Sequence, residues 1–229
     1  MYLSRLTLDP RNRRVQKELA NPYELHRTLM SVFPETLPEG ERVLFRVDVD
    51  DRTGVPTVLL QSHGQPDWAW LGDPRANGYL LRAPESKPFE LTFAPGQTLS
   101  FRLRANPTIK HSEPGQRQGR RDPLYKEMDQ LAWLERKAAE GGFRITHVAI
   151  AKEGNTYGRQ PVEKNSEDAA VTAAVEVAQP RKRKLTHFAV RFEGFLQVTD
   201  PAKLWETVQA GIGPGKGLGF GLLSLAPAR

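Results

Sequence analysis

The chain has 229 residues and a formal net charge of +6, from 33 lysines and arginines against 27 acidic residues. This length allows two small domains, and the positive charge favours a polyanionic partner. The absence of cysteine excludes disulfides, cysteine-ligated zinc and a thiol nucleophile, and it suits a reducing cytosol. Because no apolar run approaches the roughly 20 residues of a membrane span and residues 1–5 lack a signal-peptide pattern, we expect a cytoplasmic protein without a membrane partner.

The first part of the sequence predicts the element order βαββαβ. Alternating apolar residues and turn signals give a strand at 2–8, a helix that begins at the cap Asn21, strands at 42–49 and 57–61, a short helical segment at 66–71 and a closing strand at 78–82. The helix has Pro22 at its first position and a stripe of apolar residues that faces a core. Tyr23 and His26 are three residues apart and project together from beside that stripe. Spacing alone favours a partly buried histidine at the edge of the core.

A second βαββαβ unit follows Pro95-Gly96. Its predicted elements are a strand at 98–105, a helix at 124–138, strands at 143–150 and 185–198, a helix after the Asp200-Pro201 cap and a final strand at 220–225. The polar segment 152–179 could form a mobile hairpin or a disordered insertion, and the basic run 181–184 could be a localisation-like tract or a solvated edge. We therefore predict an α+β fold of two tandem ferredoxin-like (RRM-like) βαββαβ domains, at residues 1–95 and 96–229.

Basic residues concentrate at the start of the second unit. The first strand places Arg102 and Arg104 on its polar face. The following residues, 106–121, read as a loop that contains Lys110, Arg120 and Arg121. The loop could be merely solvated, but a basic segment beside a basic strand face is also suited to bind backbone phosphates.

Residues 211–221 contain six glycines and Lys216. Such backbone can turn sharply and lie close to a neighbour, and a phosphate chain is a natural candidate. A P-loop is excluded because Ala210 and Gly217 occupy the positions of its first glycine and its hydroxyl residue, and no register gives G-x-G-x-x-G. The alternative is a connector that needs glycine only for tight packing.

Several segments in order carry a family resemblance that covers nearly the whole chain. They are 1–4, Tyr23-Glu24-Leu25-His26, 58–62, 101–107, 132–137, 192–194, 211–214 and 221–227. In these segments the chain resembles the CasE group of CRISPR-associated endoribonucleases. The resemblance implies cleavage of precursor RNA at the base of each repeat hairpin, without a metal or another cofactor. The 2′-hydroxyl would attack the adjacent phosphorus, giving a 2′,3′-cyclic phosphate and a 5′-hydroxyl, with His26 as principal catalyst and Tyr23 orienting a reacting group or assisting proton transfer.

The resemblance also implies partners and an RNA-binding set. The partners are the CRISPR repeat RNA hairpin and the other subunits of a multi-protein surveillance complex. Shape and phosphates dominate recognition of such a hairpin. The residues assigned to RNA binding are Arg27, Arg102, Arg104, Lys110, Arg120, Arg121, Gly213, Gly215, Lys216 and Gly217.

Two other functions share some of these features. A tandem RRM-like binding protein without chemistry would have the same fold and charge, but its strands should carry paired stacking aromatics, which Phe101-Arg102-Leu103-Arg104 does not. A metal-dependent nuclease would need clustered ligands, whereas the five histidines, at 26, 63, 111, 147 and 187, are scattered without ligand spacing.

Overall fold

The computed structural model describes residues 1–38, 40–111, 120–161 and 182–228, with the backbone alone at 120, 159–161 and 182–185. The elements of the first part are β1 (Tyr2–Thr7), α1 (Arg13–Ala20), α2 (Pro22–Met30), β2 (Leu44–Val49), β3 (Pro56–Ser62) and β4 (Glu85–Pro88). Those of the second part are β5 (Thr98–Ala105), β6 (Thr108–His111), β7 (Arg120–Pro123), α3 (Glu127–Glu140), β8 (Phe143–Pro161), β9 (Lys182–Val198), α4 (Pro201–Ala210) and β10 (Leu223–Pro227). Among these described residues, no helix is long and apolar enough to cross a membrane.

The strands form two four-stranded antiparallel sheets with the same internal order. The first sheet is ordered β2-β3-β1-β4 and the second β10-β5-β9-β8, so that each sheet places its first strand between its third and its last. This arrangement is the split βαβ pattern of a ferredoxin-like fold. The predicted α+β fold with two such units is confirmed, whereas the boundary between residues 95 and 96 stays a prediction.

Each sheet has its own apolar core. In the first, Leu25 and Leu29 of α2 are almost fully buried with Phe45 of β2, as the helical stripe predicts. In the second, Leu134 of α3 and Phe192 of β9 belong to one buried cluster. Burying a side chain of this size contributes about 1.5–3 kcal/mol, so the α2 stripe fixes the helix on its sheet. Tyr23 and His26 are thereby placed at the edge of the first core.

The first sheet differs from the sequence prediction at two places. The basic stretch after β1 forms α1, whose cap Asn12 accepts hydrogen bonds from the backbone N–H groups of Arg14 and Val15. The predicted closing strand at 78–82 is wrong, because residues 85–88 form that strand instead. Tyr79 is buried and donates its hydroxyl hydrogen to the Glu18 carboxylate of α1, which anchors this segment beside the helix.

The second sheet differs in the length of its strands. Residues 106–121, read as a loop, contain the strand β6 and the first two residues of β7, which pairs with β6 in a short hairpin. Strands β8 and β9 continue their pairing to Pro161 and Lys182, well beyond the predicted ends, so the described parts of 152–184 are hairpin arms. Residues 162–181, which include Arg181 of the basic run, lie outside the described part of the chain.

Buried polar contacts join the two sheets and the helices on them. The Arg46 guanidinium of β2 is 4% exposed and donates from Nη1 to the Ser224 hydroxyl of β10 over 2.9 Å. On the opposite side, Gln61 of β3 reaches the backbone of α4. Unmade hydrogen bonds of buried groups are costly, so these contacts favour one relative placement of the two sheets.

Candidate functional site

His26 lies in the middle of α2, at the edge of the first core. Its imidazole stacks on Phe45 with ring centroids 6.1 Å apart and an interplanar angle of 13°. The Nδ1 atom is buried without a hydrogen-bond partner among the described residues. Burial disfavours the charged imidazolium and lowers the pKa of His26. In the protein alone, the ring is therefore a neutral proton acceptor near pH 7.

The glycine-rich segment of the second part of the chain lies against this imidazole. A methyl group at Gly217 would be 3.4 Å from both Cδ2 and Nε2 of His26. Gly217 belongs to a single 3₁₀ turn, Lys216–Leu218. The site therefore combines a helix of the first sheet with a loop that precedes the last strand of the second sheet.

Glycine is required at Gly215 for reasons of backbone and packing. Its φ is +85°, a conformation that side chains disfavour, and an added Cβ would lie 2.9 Å from Cδ2 of Phe220. Gly213 is similar, with a φ of +80° and Trp133 at 3.0 Å. The packing explanation thus accounts for these two glycines, whereas Gly217 has no such backbone requirement and a Cβ there would make only ordinary contact.

Tyr23 lies one helical turn before His26 and contacts the second sheet. Its ring packs against a small buried cluster of Ala189, Leu218 and Phe220. Because Leu218 and Phe220 flank the last glycines, Tyr23 helps to hold the loop against α2. The sequence prediction that Tyr23 and His26 project together is consistent with both contacting this segment.

A basic groove opens beside the loop. The groove has a volume of about 890 Å³ and is lined by residues of β6, β7, α3 and the glycine-rich segment. Its cationic side chains are Lys110, Arg121, Arg136, Lys137 and Lys216, against the carboxylates of Glu140 and Glu206. A groove with this excess of positive charge, at the edge of which Lys216 adjoins Gly217, is suited to a phosphate backbone.

Lys216 is held in a positively charged environment. Burial lowers its pKa first, and the neighbouring charges of Arg42 and Lys137 lower it further. Within the described ranges no carboxylate forms an ion pair with Lys216, although Lys137 contacts Glu140 at 2.6 Å. A bound phosphate would offset the mutual repulsion of these cations, so the cluster favours anion binding.

Arg102 and Arg104 lie apart from this groove, in a cleft of 910 Å³ between the two sheets. Arg102 pairs with Glu193 and approaches Asp48 at 3.6 Å. Arg104 is 18% exposed and pairs with Glu153 at 2.6 Å, with its guanidinium 4.5 Å from the centre of the Phe220 ring. The predicted basic strand face is therefore already neutralised by carboxylates.

The remaining predicted residues have separate positions. Arg27 points away from the core, with its side chain 63% exposed and paired with Glu24 at 3.2 Å. The backbone of Arg120 pairs with that of His111 in the β6–β7 hairpin, but its side chain lies outside the described part. Lys110 and Arg121 are paired with each other across the same hairpin. The structure thus brings Lys110, Arg121, Gly213 and Lys216 together and separates Arg27, Arg102 and Arg104 from them.

Sequence reasoning missed three residues at the site. Arg136 and Lys137 follow the groove residue Trp133 by three and four positions, which is the helical spacing that places them on its face. This periodicity was available in the sequence. His187 stacks on Phe220 and lies beside Gly215. No local pattern marks it, because the loop that covers it is remote in sequence. Among the described residues, no group of three or more His, Cys, Asp or Glu is arranged to hold a metal ion.

The site consists of a histidine that contacts a glycine-rich segment, next to a basic groove on paired ferredoxin-like sheets. These features together define a protein suited to act on a polyanion. A family model described as CRISPR associated protein matches residues 1–227. The chain belongs to this family of CRISPR-associated proteins.

Relatives over the full length carry more specific names. The chain is 39% identical over 234 residues to the CRISPR-associated endoribonuclease Cse3 of Thermus thermophilus, covering 99% of this chain and 100% of that protein. It is 32% identical, with the same coverage, to the CRISPR system Cascade subunit CasE of Escherichia coli K12. A solved structure of Thermus thermophilus Cse3 bound to an RNA representing a pre-cleavage complex has a TM-score of 0.76 at 37% identity, covering 99% of this chain and 98% of that chain.

Proposed function

We propose that this protein is an endoribonuclease that cuts CRISPR precursor RNA at the base of the repeat hairpin, without a metal. The observation that carries the proposal is the contact between Gly217 and the His26 imidazole, next to the basic groove. An RNA strand that follows the groove past Lys216 would bring a phosphodiester to this imidazole. The endoribonuclease class is that of its full-length relative Cse3.

The proposed reaction needs only the RNA and the protein. The 2′-oxygen of the nucleotide before the cut attacks the adjacent phosphorus, the bond from phosphorus to the 5′-oxygen breaks, and a 2′,3′-cyclic phosphate and a 5′-hydroxyl result. One proton must leave the 2′-hydroxyl and one must reach the 5′-oxygen. A neutral His26 can take part in these transfers, and a nearby phosphate charge would raise its lowered pKa towards neutrality.

Other residues would position the reacting atoms. Tyr23 packs on the loop beside His26 and would orient the RNA or assist proton transfer. Lys216 would offset phosphate charge, and Lys110 and Arg121 would bind the hairpin stem. Holding the 2′-oxygen, phosphorus and leaving oxygen in line is itself a large part of catalysis.

The proposal includes the cellular setting. The CasE relative is a Cascade subunit, so we infer that this protein stays bound to its cleaved hairpin within a surveillance complex. A cysteine-free chain suits the cytoplasm, where we place it. The binding-only alternative is less well supported, because Phe101 and Leu103 are buried and the outward Arg102 and Arg104 are ion-paired, which leaves no stacking face on β5.

The experiment that tests the proposal combines a protein variant with a modified RNA. The repeat hairpin of the source genome is incubated with the wild type, His26→Ala and Tyr23→Phe, with and without EDTA. We expect His26→Ala to bind normally and to cut about 100-fold or more slowly, Tyr23→Phe to lose less, and EDTA to have no effect. A single 2′-deoxy nucleotide before the cut should abolish cleavage by the wild type. Normal cleavage of this deoxy hairpin would show that the nucleophile is not the 2′-oxygen.

A further inference from the structure

Two histidines flank the same three residues of the glycine-rich segment. His187 is on β9 of the second sheet, opposite Thr156 of β8. A methyl group at Gly215 would be 3.3 Å from its Cδ2 and 3.6 Å from its Nε2. His26, on the helix α2, has a similar relation to Gly217. The backbone of Gly215-Lys216-Gly217 thus has an imidazole against each end.

The surroundings of the two rings are closely alike. His187 stacks on Phe220 with ring centroids 5.9 Å apart, as His26 stacks on Phe45. In both rings, Nδ1 is buried without a hydrogen-bond partner among the described residues. Burial lowers the pKa of His187, as it does that of His26. Each ring is therefore fixed by stacking, with its Cδ2–Nε2 edge towards the glycine backbone.

The two rings contact the same short piece of backbone. Two residues of chain span at most about 7 Å, so the glycines that the rings contact are no further apart than this. In an in-line transesterification the attacking and leaving oxygens flank a single phosphorus, and each needs a proton-transfer group within hydrogen-bond reach. One imidazole beside each oxygen would satisfy this requirement.

We propose that His187 is a second catalytic residue and that His26 and His187 divide the two proton transfers. This inference rests on the proposed function. One imidazole accepts the proton of the 2′-hydroxyl as the 2′-oxygen bonds to phosphorus. The other, entering as imidazolium, donates its proton to the 5′-oxygen as the bond from phosphorus to that oxygen breaks. One proton is taken up and one is released, so the protein returns to its initial state once the two rings exchange protons with water.

The first part of the test uses variants of His187. His187→Gln removes the titrating ring and keeps a polar group, and His187→Phe keeps the ring that stacks on Phe220. The control is His147→Gln, on an exposed histidine of β8 in the same sheet. Single-turnover cleavage, hairpin affinity and melting temperature are measured for each. We expect folded His187 variants to bind the hairpin normally and to cut it about 100-fold or more slowly, with the control unchanged.

The second part uses a hairpin whose scissile 5′-oxygen is replaced by sulfur. A thiolate can leave without a proton, because thiols ionise at about pH 8.5 and alcohols only at much higher pH. Loss of the proton donor should therefore be rescued by the sulfur substrate, and loss of the acceptor should not. We expect the sulfur substrate to rescue either His26→Gln or the two His187 variants, but not both. The residue whose variants are rescued is the proton donor.

Three outcomes would overturn the proposal that His26 and His187 each perform one of the two proton transfers. They are normal cleavage of the ordinary hairpin by a folded His187 variant, rescue of both histidine variants by sulfur, and rescue of neither. None of these affects the 2′-hydroxyl route, which fails only if the wild type cuts the 2′-deoxy hairpin. Should both His187 variants fail to fold, the pH dependence of the wild type still decides. A proton donor must be protonated, so cleavage of the ordinary hairpin should slow at high pH, and the sulfur substrate should lose this decrease; the same decrease with both substrates would contradict a separate proton donor.

Discussion

The side-chain amide of Gln61 donates a hydrogen bond to the backbone carbonyl oxygen of Val208 over 2.7 Å. Gln61 is in β3 of the first sheet, and Val208 is near the end of α4, which leads into the glycine-rich segment. Gln61 is only 1% exposed, so water cannot readily replace it. This bond links the first sheet, against which the His26 helix α2 packs, to the helix that precedes the glycine-rich segment.

The first prediction follows from this contact. Gln61→Leu leaves the carbonyl group of Val208 buried without its partner, which should lower the free energy of unfolding by about 1–3 kcal/mol. Urea denaturation measures this. The control is Gln16→Leu, because Gln16 makes the same type of bond, to Pro10, on an exposed surface. A change of about 0.5 kcal/mol is the upper limit expected for the control. Equal effects of the two changes would show that the bond between Gln61 and Val208 contributes no more to the free energy of unfolding than an exposed bond does.

The second prediction separates two neighbouring glycines. Gly217→Ala fits its backbone and puts a methyl group against the His26 imidazole, so it should reduce cleavage while the melting temperature changes little. Gly215→Ala puts a side chain at a φ of +85° and close to Phe220, so it should cost about 1–2 kcal/mol or more of stability. Cleavage rates and thermal melts of both variants test this. A stable, fully active Gly217→Ala protein would contradict placement of RNA at this position.

The third prediction concerns salt dependence. Lys110→Ala with Arg121→Ala removes two cations from the groove and should reduce the slope of log affinity against log salt by about two. Arg102→Ala with Arg104→Ala should reduce it less, because carboxylates already pair with both. The control is Arg11→Ala with Arg75→Ala, an equal loss of charge at exposed ion pairs of the first part. If the control and the groove variant give the same slope, the charge of the whole protein matters more than the groove.

The fourth prediction concerns stability at mildly acidic pH. The folded-state pKa values of His26 and His187 lie below the ordinary value of 6.5. Below pH 6.5 the unfolded chain therefore binds more protons than the folded chain, and stability decreases as the pH falls through the folded pKa values. Above that value this contribution is fully present. Replacing both histidines with Gln should make the decrease shallower between about pH 7.5 and pH 5.5 in urea denaturation. His147→Gln serves as the control, and a double variant as acid-sensitive as the wild type would contradict the assignment.

Local patterns were sufficient where a segment's structure is set by its own residues. The apolar stripe of α2 fixed the position of His26 in the sequence prediction, and Asp200 caps α4 as expected. Asn21 occupies the predicted cap position of α2, but its side chain makes no capping hydrogen bond. Its backbone N–H is bonded to the carbonyl oxygens of Lys17 and Glu18 at the end of α1, so Glu24 does not complete a capping box.

Remote contacts were not accessible in the same way. The helix α1 was missed because its stabilising features, a buried Glu18 and its partners Thr28 and Tyr79, become visible only in three dimensions. The carboxylates that neutralise Arg102 and Arg104 belong to other strands, whose register no local pattern gives. His187 is hidden for the same reason, since its role depends on which loop covers its strand.

The shared construction of the site also bears on how such an enzyme could have arisen. His26 and Tyr23 come from a helix on the first sheet, whereas Gly217, Lys216 and His187 come from the second. The first unit alone would carry the His26 imidazole without a glycine backbone beside it. The second unit alone would carry the glycine backbone and the His187 imidazole, but not His26. The complete site could therefore appear only after two units were paired, either as a dimer or by joining duplicated copies in one chain.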